Sequence, residues 1–232
     1  MEKNILILGS KPPGKLPKIH VDKIFSSNGS AELAKIYIDK LGKIEHTCII
    51  GARSFAKIED IQTRVIKSNP DQLIIRDYED VFSYILDLFN KDINFIKFSK
   101  KKQFIYQSKF FKMNIASLFL AEMKYEEKFI NKFKHIIIGF LLNGFMGVSS
   151  GFFSLLYAAE KYPNSNLILS GLSFEGGGHY YKSGKMTTKR GSVDAYLFEH
   201  LDFKIKDRIL IFDKEISKKM NVRNLDKEEL IF

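Results

Sequence analysis

At 232 residues, with 45% hydrophobic and 28% charged residues, the chain has an ordinary globular composition and enough length to bury a core, which excludes an intrinsically disordered chain. Its formal net charge of +10 favours an anionic partner, whether a nucleotide-activated substrate, an acidic glycan, a membrane face or nucleic acid, and does not choose among them. The single cysteine, Cys48, lies in an apolar run, so disulfides and thiolate metal sites are excluded and the residue reads as a small buried hydrophobe in a reducing compartment.

In chain order, Asn4 to Gly9 predicts a fully buried first strand, with Pro12, Pro13 and Gly14 forcing a turn after it. Glu2 and Lys3 lead straight into this short run, which is too short for the apolar region of a signal peptide. Lys23 to Ser27 predicts a second strand, ending at Asn28-Gly29-Ser30. Ala31 to Leu41 predicts a helix with Leu33, Ile36, Tyr37 and Leu41 on one face and Gly42 as its stop. Further strands are expected at His46 to Gly51, Gln72 to Arg76 and Ile93 to Phe98, with an amphipathic helix from Tyr78 to Phe89.

Residues 100–134, dense in lysine and aromatics, read as a helical insertion or lid, and more plainly as a solvated helical pair than as a nucleic-acid surface. The longest apolar run, Ile136 to Val148, is interrupted by Asn143 and Gly144 and falls short of the ~20 residues of a membrane span. The expectation is a cytoplasmic protein with access to the inner membrane face.

The centre of the reading is Asn143 to Asp194. Val148 to Gly151 forms a small-residue turn opening an apolar helix that stops at Pro163, and Asn166 to Gly171 is a buried strand. Val193 to Leu201 predicts a helix, Arg208 to Phe212 a last strand, and residues 213–232 a charged tail, mobile or on the surface. Strands alternating with helices at this spacing predict one α/β domain over 1–232: a mostly parallel, Rossmann-like sheet with helices on both faces and a small helical insertion or lid.

Ser149, Ser150 and Gly151 would stand at a helix start, where free backbone N–H groups and the positive dipole end suit a phosphate. The glycine-rich loop after Gly171, with Glu175, His179, Tyr180 and Tyr181, would hang beyond the carboxyl end of its strand, where open α/β sheets bind ligands. The first turn, Gly9-Ser10-Lys11-Pro12-Pro13-Gly14, fails the dinucleotide fingerprint because Lys11 stands at its second glycine. Asn28, ending the second strand, is placed to bond ribose or base, or else to cap the turn. No histidine pair at ligand spacing, paired-carboxylate motif, Gly-x-Ser-x-Gly elbow or Walker loop is present, so no metal site is expected and hydrolase and kinase readings fall. His179 sits in a glycine-rich loop and is a functional candidate, whereas His20, His46, His135 and His200 default to structure.

These stretches, Asn4 to Gly29 and Gly144 to Leu201, resemble the bacterial sialyltransferases of glycosyltransferase family 42 and the related CMP-Kdo-dependent transferases. The resemblance rests on Gly9 and Pro12, on Asn28, on the Ser150-Gly151 helix start, on the strand end Ser170 to Phe174, on the tyrosine loop, and on Asp194 at a final helix entry. It implies a CMP-sugar donor as substrate, no cofactor and no metal. Gly9 and Asn28 would line the cytidine and ribose pocket, Ser149, Ser150 and Gly151 would take the CMP portion, Phe174 would pack beneath, and Tyr181 would steady the departing phosphate. Ser10 and Tyr180 are further binding candidates beside them, and Lys185, Lys189 and Arg190 are near enough in sequence to help offset the phosphate charge. The implied partners are a nucleotide-sugar donor and a glycan or lipid-linked glycan acceptor, with peripheral contact to anionic membrane and no nucleic acid.

In one respect the chain departs from this pattern. The sialyltransferases place a histidine base shortly before the position of Asp194, where this chain has Lys189, Arg190, Gly191 and Ser192. Either His179, Glu175 or Asp194 takes that role, or the protein is a non-catalytic nucleotide-binding relative. A basic nucleic-acid-binding domain using Lys100 to Lys134 is a third, weaker alternative.

Overall fold

The computed structural model describes residues 3–11, 16–77, 81–89, 93–114, 117–118, 120–121, 147–172, 188–212, 214–225 and 229–230, with the backbone alone at 188–190 and 229–230. An open sheet of eight strands organises it. In chain order its strands are β1 (Asn4–Leu8), β3 (Lys23–Ser27), β4 (Glu45–Gly51), β5 (Gln72–Arg76), β6 (Asn94–Phe98), β7 (Asn166–Ser170), β8 (Ile209–Ile211) and β9 (Arg223–Asn224). Their spatial order is β6-β5-β4-β3-β1-β7-β8-β9, and every pairing is parallel. A separate antiparallel pair joins β2 (Leu16–Pro17) to β10 (Glu229–Leu230).

The aliphatic runs form strands because both faces of the sheet are covered. On one face Ile5, Ile7, Phe25, Ile49 and Ile74 pack with Phe152, Phe153, Leu155 and Leu156 of α6 (Ser150–Lys161) and with Val193 and Leu197 of α7 (Thr188–Glu199). On the other, Leu6, Leu8 and Ile24 meet Leu33, Ala34 and Tyr37 of α1 (Ala31–Leu41). Beside them Cys48, Ile50, Leu73 and Ile75 meet Phe55 of α2 (Ala52–Lys57) and Ile61 and Val65 of α3 (Glu59–Ser68). Burying one such side chain contributes about 1.5–3 kcal/mol, so the two layers supply the main driving force.

Most expected elements fall where the sequence puts them. The strand at Gln72–Arg76 and the helix at Ala31–Leu41 match residue for residue, and α6 stops at Lys161, two residues before Pro163. The helix expected from Tyr78 is described as α4 (Phe82–Leu88), and that expected from Val193 begins at Thr188. Of the insertion over 100–134, α5 (Lys100–Ser108) is described, packed along α6 through Tyr106, whose ring lies 5.5 Å from that of Phe153.

Two regions carry elements that the sequence reading did not assign. The stretch between Gly51 and Gln72 carries α2 and α3, with Arg64 of α3 paired to Glu32 of α1. In the tail, Lys214–Met220 is helical, Ile216, Met220 and Val222 pack against the core, and Leu225 is buried, while residues 213, 226–228, 231 and 232 lie outside the described residues.

Candidate functional site

In a parallel sheet all carboxyl ends lie on one edge, and here the chain direction reverses at β1. The chain leaving β1 runs to β3 on one side, and the chain leaving β7 runs to β8 on the other. Such a switch point leaves a crevice beyond the strand ends. Its floor is a close approach of two backbones. The Gly9 amide donates to the Ser170 carbonyl at 2.8 Å, and the Lys11 amide donates to the Gly171 carbonyl at 2.8 Å. A Cβ on Gly9 would stand 2.2 Å from the Gly171 oxygen, and Gly171 itself has φ of +65°. Only glycines permit this contact.

Around that floor the predicted residues gather. Ser10 is buried and its hydroxyl donates to the Ser27 carbonyl at 3.2 Å. Asn28 adopts φ of 50° and opens a 3-10 turn after β3. Its Oδ1 accepts from the Gly51 amide at 3.1 Å, tying the ends of β3 and β4 together. Gly51 in turn adjoins the start of α6, since a Cβ there would lie 3.8 Å from Ser150 Oγ. A Cβ on Gly151 would lie 2.5 Å from Leu172 Cδ2 and 3.5 Å from Ser27 Oγ, so the helix start sits directly over β3 and the exit of β7.

The helix start is more occupied than its sequence suggests. Ser149 is the N-cap, and its Oγ accepts from the Phe152 amide at 3.2 Å. The Ser149 amide donates to Oδ1 of Asp194, which is 5% exposed, at 3.0 Å. Asp194 thus anchors α7 to the positive end of α6, where a carboxylate is favoured. The amides of Ser150 and Gly151 have no acceptor among the described residues. At the far end of α6, Arg208 donates to the carbonyls of Tyr162 (2.7 Å), Ala159 (3.1 Å) and Ser165 (3.2 Å), so the helix is fixed at both termini.

Electrostatically this edge is cationic. Lys11 stands beside the clamp. Burial lowers its ammonium from the ordinary lysine value, and the nearby Asp194 carboxylate opposes that shift. Arg76, ending β5, is 6% exposed, and its Nη1 donates to Ser150 Oγ at 3.1 Å. Beyond it Asp77 pairs with Arg53 at 3.4 Å and Lys100 at 3.5 Å.

Of the residues singled out from sequence, Gly9, Ser10, Asn28, Ser149, Ser150, Gly151 and Asp194 come together on this one edge. Arg190 lies in α7, described only as backbone, and Phe174, Glu175, His179, Tyr180, Tyr181 and Lys185 lie outside the described residues. Among the described residues, no three His, Cys, Asp or Glu side chains gather where a metal ion could be held, and no helix is long and apolar enough to cross a membrane. Sequence reasoning missed Arg76. The available signal was a cation closing the aliphatic strand Gln72 to Arg76, where burial demands partners.

The fold is similar to that of one solved structure. The crystal structure of alpha-2,3-sialyltransferase from Campylobacter jejuni in apo form superposes on the chain with a TM-score of 0.50 and 13% sequence identity, covering 99% of this chain and 85% of that one. No family model and no curated protein matches the sequence. At that identity the likeness concerns architecture, so the chemistry has to be argued from the residues of this edge.

Proposed function

We propose that this chain is a glycosyltransferase that moves a sialic-acid-like or Kdo sugar from its CMP ester onto a surface-glycan precursor, such as one of lipopolysaccharide biosynthesis. The observation that carries the reading is the pair of amides at Ser150 and Gly151 that have no acceptor among the described residues, at the start of a buried helix and over the switch point of the sheet. The sialyltransferase-like architecture supports it.

In this reading the donor phosphate lies at the amides of Ser150 and Gly151, and cytidine extends over Gly9, Ser10 and Asn28. As the bond between the sugar and the phosphate oxygen breaks, negative charge grows on CMP. Two N–H dipoles, the helix terminus and the cations Lys11 and Arg76 stabilise it without reorganising. The acceptor hydroxyl gives its proton to a base within hydrogen-bond reach. Asp194 Oδ1 already accepts from the Ser149 amide, which suits Asp194 to a positioning role and leaves His179 or Glu175 as the base.

Titration with CMP, followed by a CMP-release screen with CMP-sialic acid and CMP-Kdo, tests the assignment. Saturable binding and release from one donor are expected, and no binding of CMP or CDP at millimolar concentration would sink it. The buried, bonded state of Asp194 also favours a second reading, a non-catalytic nucleotide-binding protein of the same fold. Donor hydrolysis beside His179→Ala separates the two: turnover lost with CMP binding kept supports the enzyme, and a parent chain that binds CMP without turnover supports the rival.

A further inference from the structure

Val148 and Ser150, which flank the cap of α6, are held from outside their own segment. The Arg76 guanidinium donates through Nε to Gln103 Oε1 at 2.9 Å, through Nη1 to Ser150 Oγ at 3.1 Å, and through Nη2 to the Val148 carbonyl at 2.7 Å. Its central carbon lies 4.7 Å from the centre of the Phe153 ring, so the planar group is clasped between α5 and α6. One turn along α5 from Gln103, Gln107 is fully buried, and its Oε1 accepts from the Val148 amide at 3.2 Å. Both backbone polar groups of Val148 are therefore taken by side chains from β5 and α5. The neighbouring Gly147 has φ of +56°, and a Cβ there would collide with the Gln107 amide, at 1.9 Å from Nε2.

A fork of this kind fixes direction as well as distance, because the guanidinium donors are coplanar and cannot swivel independently. The groups it fixes are the residue before the cap and the first residue after it. We propose that Arg76 is a positioning residue for the anion site: by holding Val148 and Ser150 it aims the amides of Ser150 and Gly151 at a bound phosphate. The inference rests on the nucleotide-donor reading above. It adds a residue from a different strand that the resemblance to sialyltransferases did not supply. A purely structural Arg76 would matter equally to every ligand, whereas a positioning Arg76 matters to the phosphate and leaves the nucleoside alone.

The test compares CMP with cytidine, measured by calorimetry on the parent chain, Arg76→Lys, Ser150→Ala and the double variant, with thermal unfolding recorded for each. Lysine keeps the charge and loses the fork. Arg76→Lys is expected to weaken CMP binding about tenfold and to leave cytidine binding within about twofold of the parent. Ser150→Ala is expected to weaken CMP by about threefold, and the double variant by no more than Arg76→Lys alone, because the two changes break one connection.

Parent-like CMP affinity in Arg76→Lys, or an equal loss for CMP and cytidine, overturns the inference. If Arg76→Lys fails to fold, Ser150→Ala decides by itself, and an unchanged ratio of CMP to cytidine affinity overturns it. A parent chain that binds no CMP overturns the donor reading and this inference with it, and that outcome is seen before any substitution is made.

Discussion

Replacing Asp194 separates positioning from catalysis. Its carboxylate is 5% exposed and accepts from the Ser149 amide at 3.0 Å, next to Lys11. Asp194→Ala leaves that amide without its acceptor and removes a carboxylate from the helix's positive end. Leaving this part-buried donor without its acceptor costs at most about 1–3 kcal/mol, and the lost charge at the terminus adds about 0.3–1 kcal/mol. A total of about 1–4 kcal/mol corresponds to a fall in Tm of roughly 2–16 °C for a chain of this size. Asp194→Asn keeps an oxygen acceptor in the same place, so it should recover more than half of that loss. Circular dichroism melts give the stabilities, and CMP release from the preferred donor gives turnover. If Asp194 positions the helix start, Asn retains turnover within about tenfold of the parent while Ala loses both stability and CMP affinity, since general-base catalysis contributes about 10²–10⁴-fold and is absent from the Asn penalty. An Asp194→Asn chain that melts like the parent and has lost turnover by a thousandfold would refute this reasoning and make Asp194 the base. An Asp194→Ala chain as stable as the parent would remove the clamp altogether.

Other substitutions probe the same edge and the sheet behind it. Gly9→Ala puts a Cβ 2.2 Å from the Gly171 oxygen, a backbone atom, whereas Gly151→Ala meets the tip of Leu172 at 2.5 Å, a side chain that can rotate away. Gly9→Ala should therefore lower stability by about 1–3 kcal/mol in urea unfolding and Gly151→Ala by less than half as much, with equal losses counting against the close approach. His46 is fully buried, its Nε2 lies 2.7 Å from Ser26 Oγ, its Nδ1 has no hydrogen-bond partner among the described residues, and desolvation holds its pKa down to about 4. Because the folded value is below the unfolded 6.5, the stability is present in full above pH 6.5 and is lost as pH falls from there towards 4. Urea unfolding of the parent should lose about 2 kcal/mol more than His46→Phe between pH 7.5 and pH 5, and identical pH profiles would contradict the burial argument.

What the sequence revealed and what it hid have physical causes. The central strands were legible because a strand buried on both faces must be a continuous aliphatic run, as in Asn4 to Leu8 and Gln72 to Arg76. The candidate site was legible where conformation dictates composition: the Gly9 and Gly171 approach needs glycine, the positive φ of Asn28 suits asparagine, and the Ser149 cap needs a small hydroxyl. The helices Ala52–Lys57 and Glu59–Ser68 were hidden because β4 passes straight into helix at Gly51, and their buried apolar stripe is short, with Ala52, Phe55, Ile61 and Val65 buried and Ile58 packed beside them. In the tail, Lys214, Glu215, Lys218 and Lys219 mask the few apolar residues that dock. Arg76 was hidden for a different reason. Its partners Gln103, Val148 and Ser150 lie up to 74 residues away, so the local pattern marks a cation at the end of a buried strand without saying what it meets.

The crevice floor joins the first strand to one that begins 162 residues later, at Asn166. During synthesis β1 therefore waits with one edge open until β7 has emerged, and a nascent chain stopped short of Ser170 exposes an unpaired apolar edge that invites association with other chains. Ligand binding is tied to the same event, since nothing can dock at the switch point before that seam closes. A fragment ending before Asn166 should be both insoluble and inert, and a nucleotide added during refolding should act late, trapping molecules whose halves have already met.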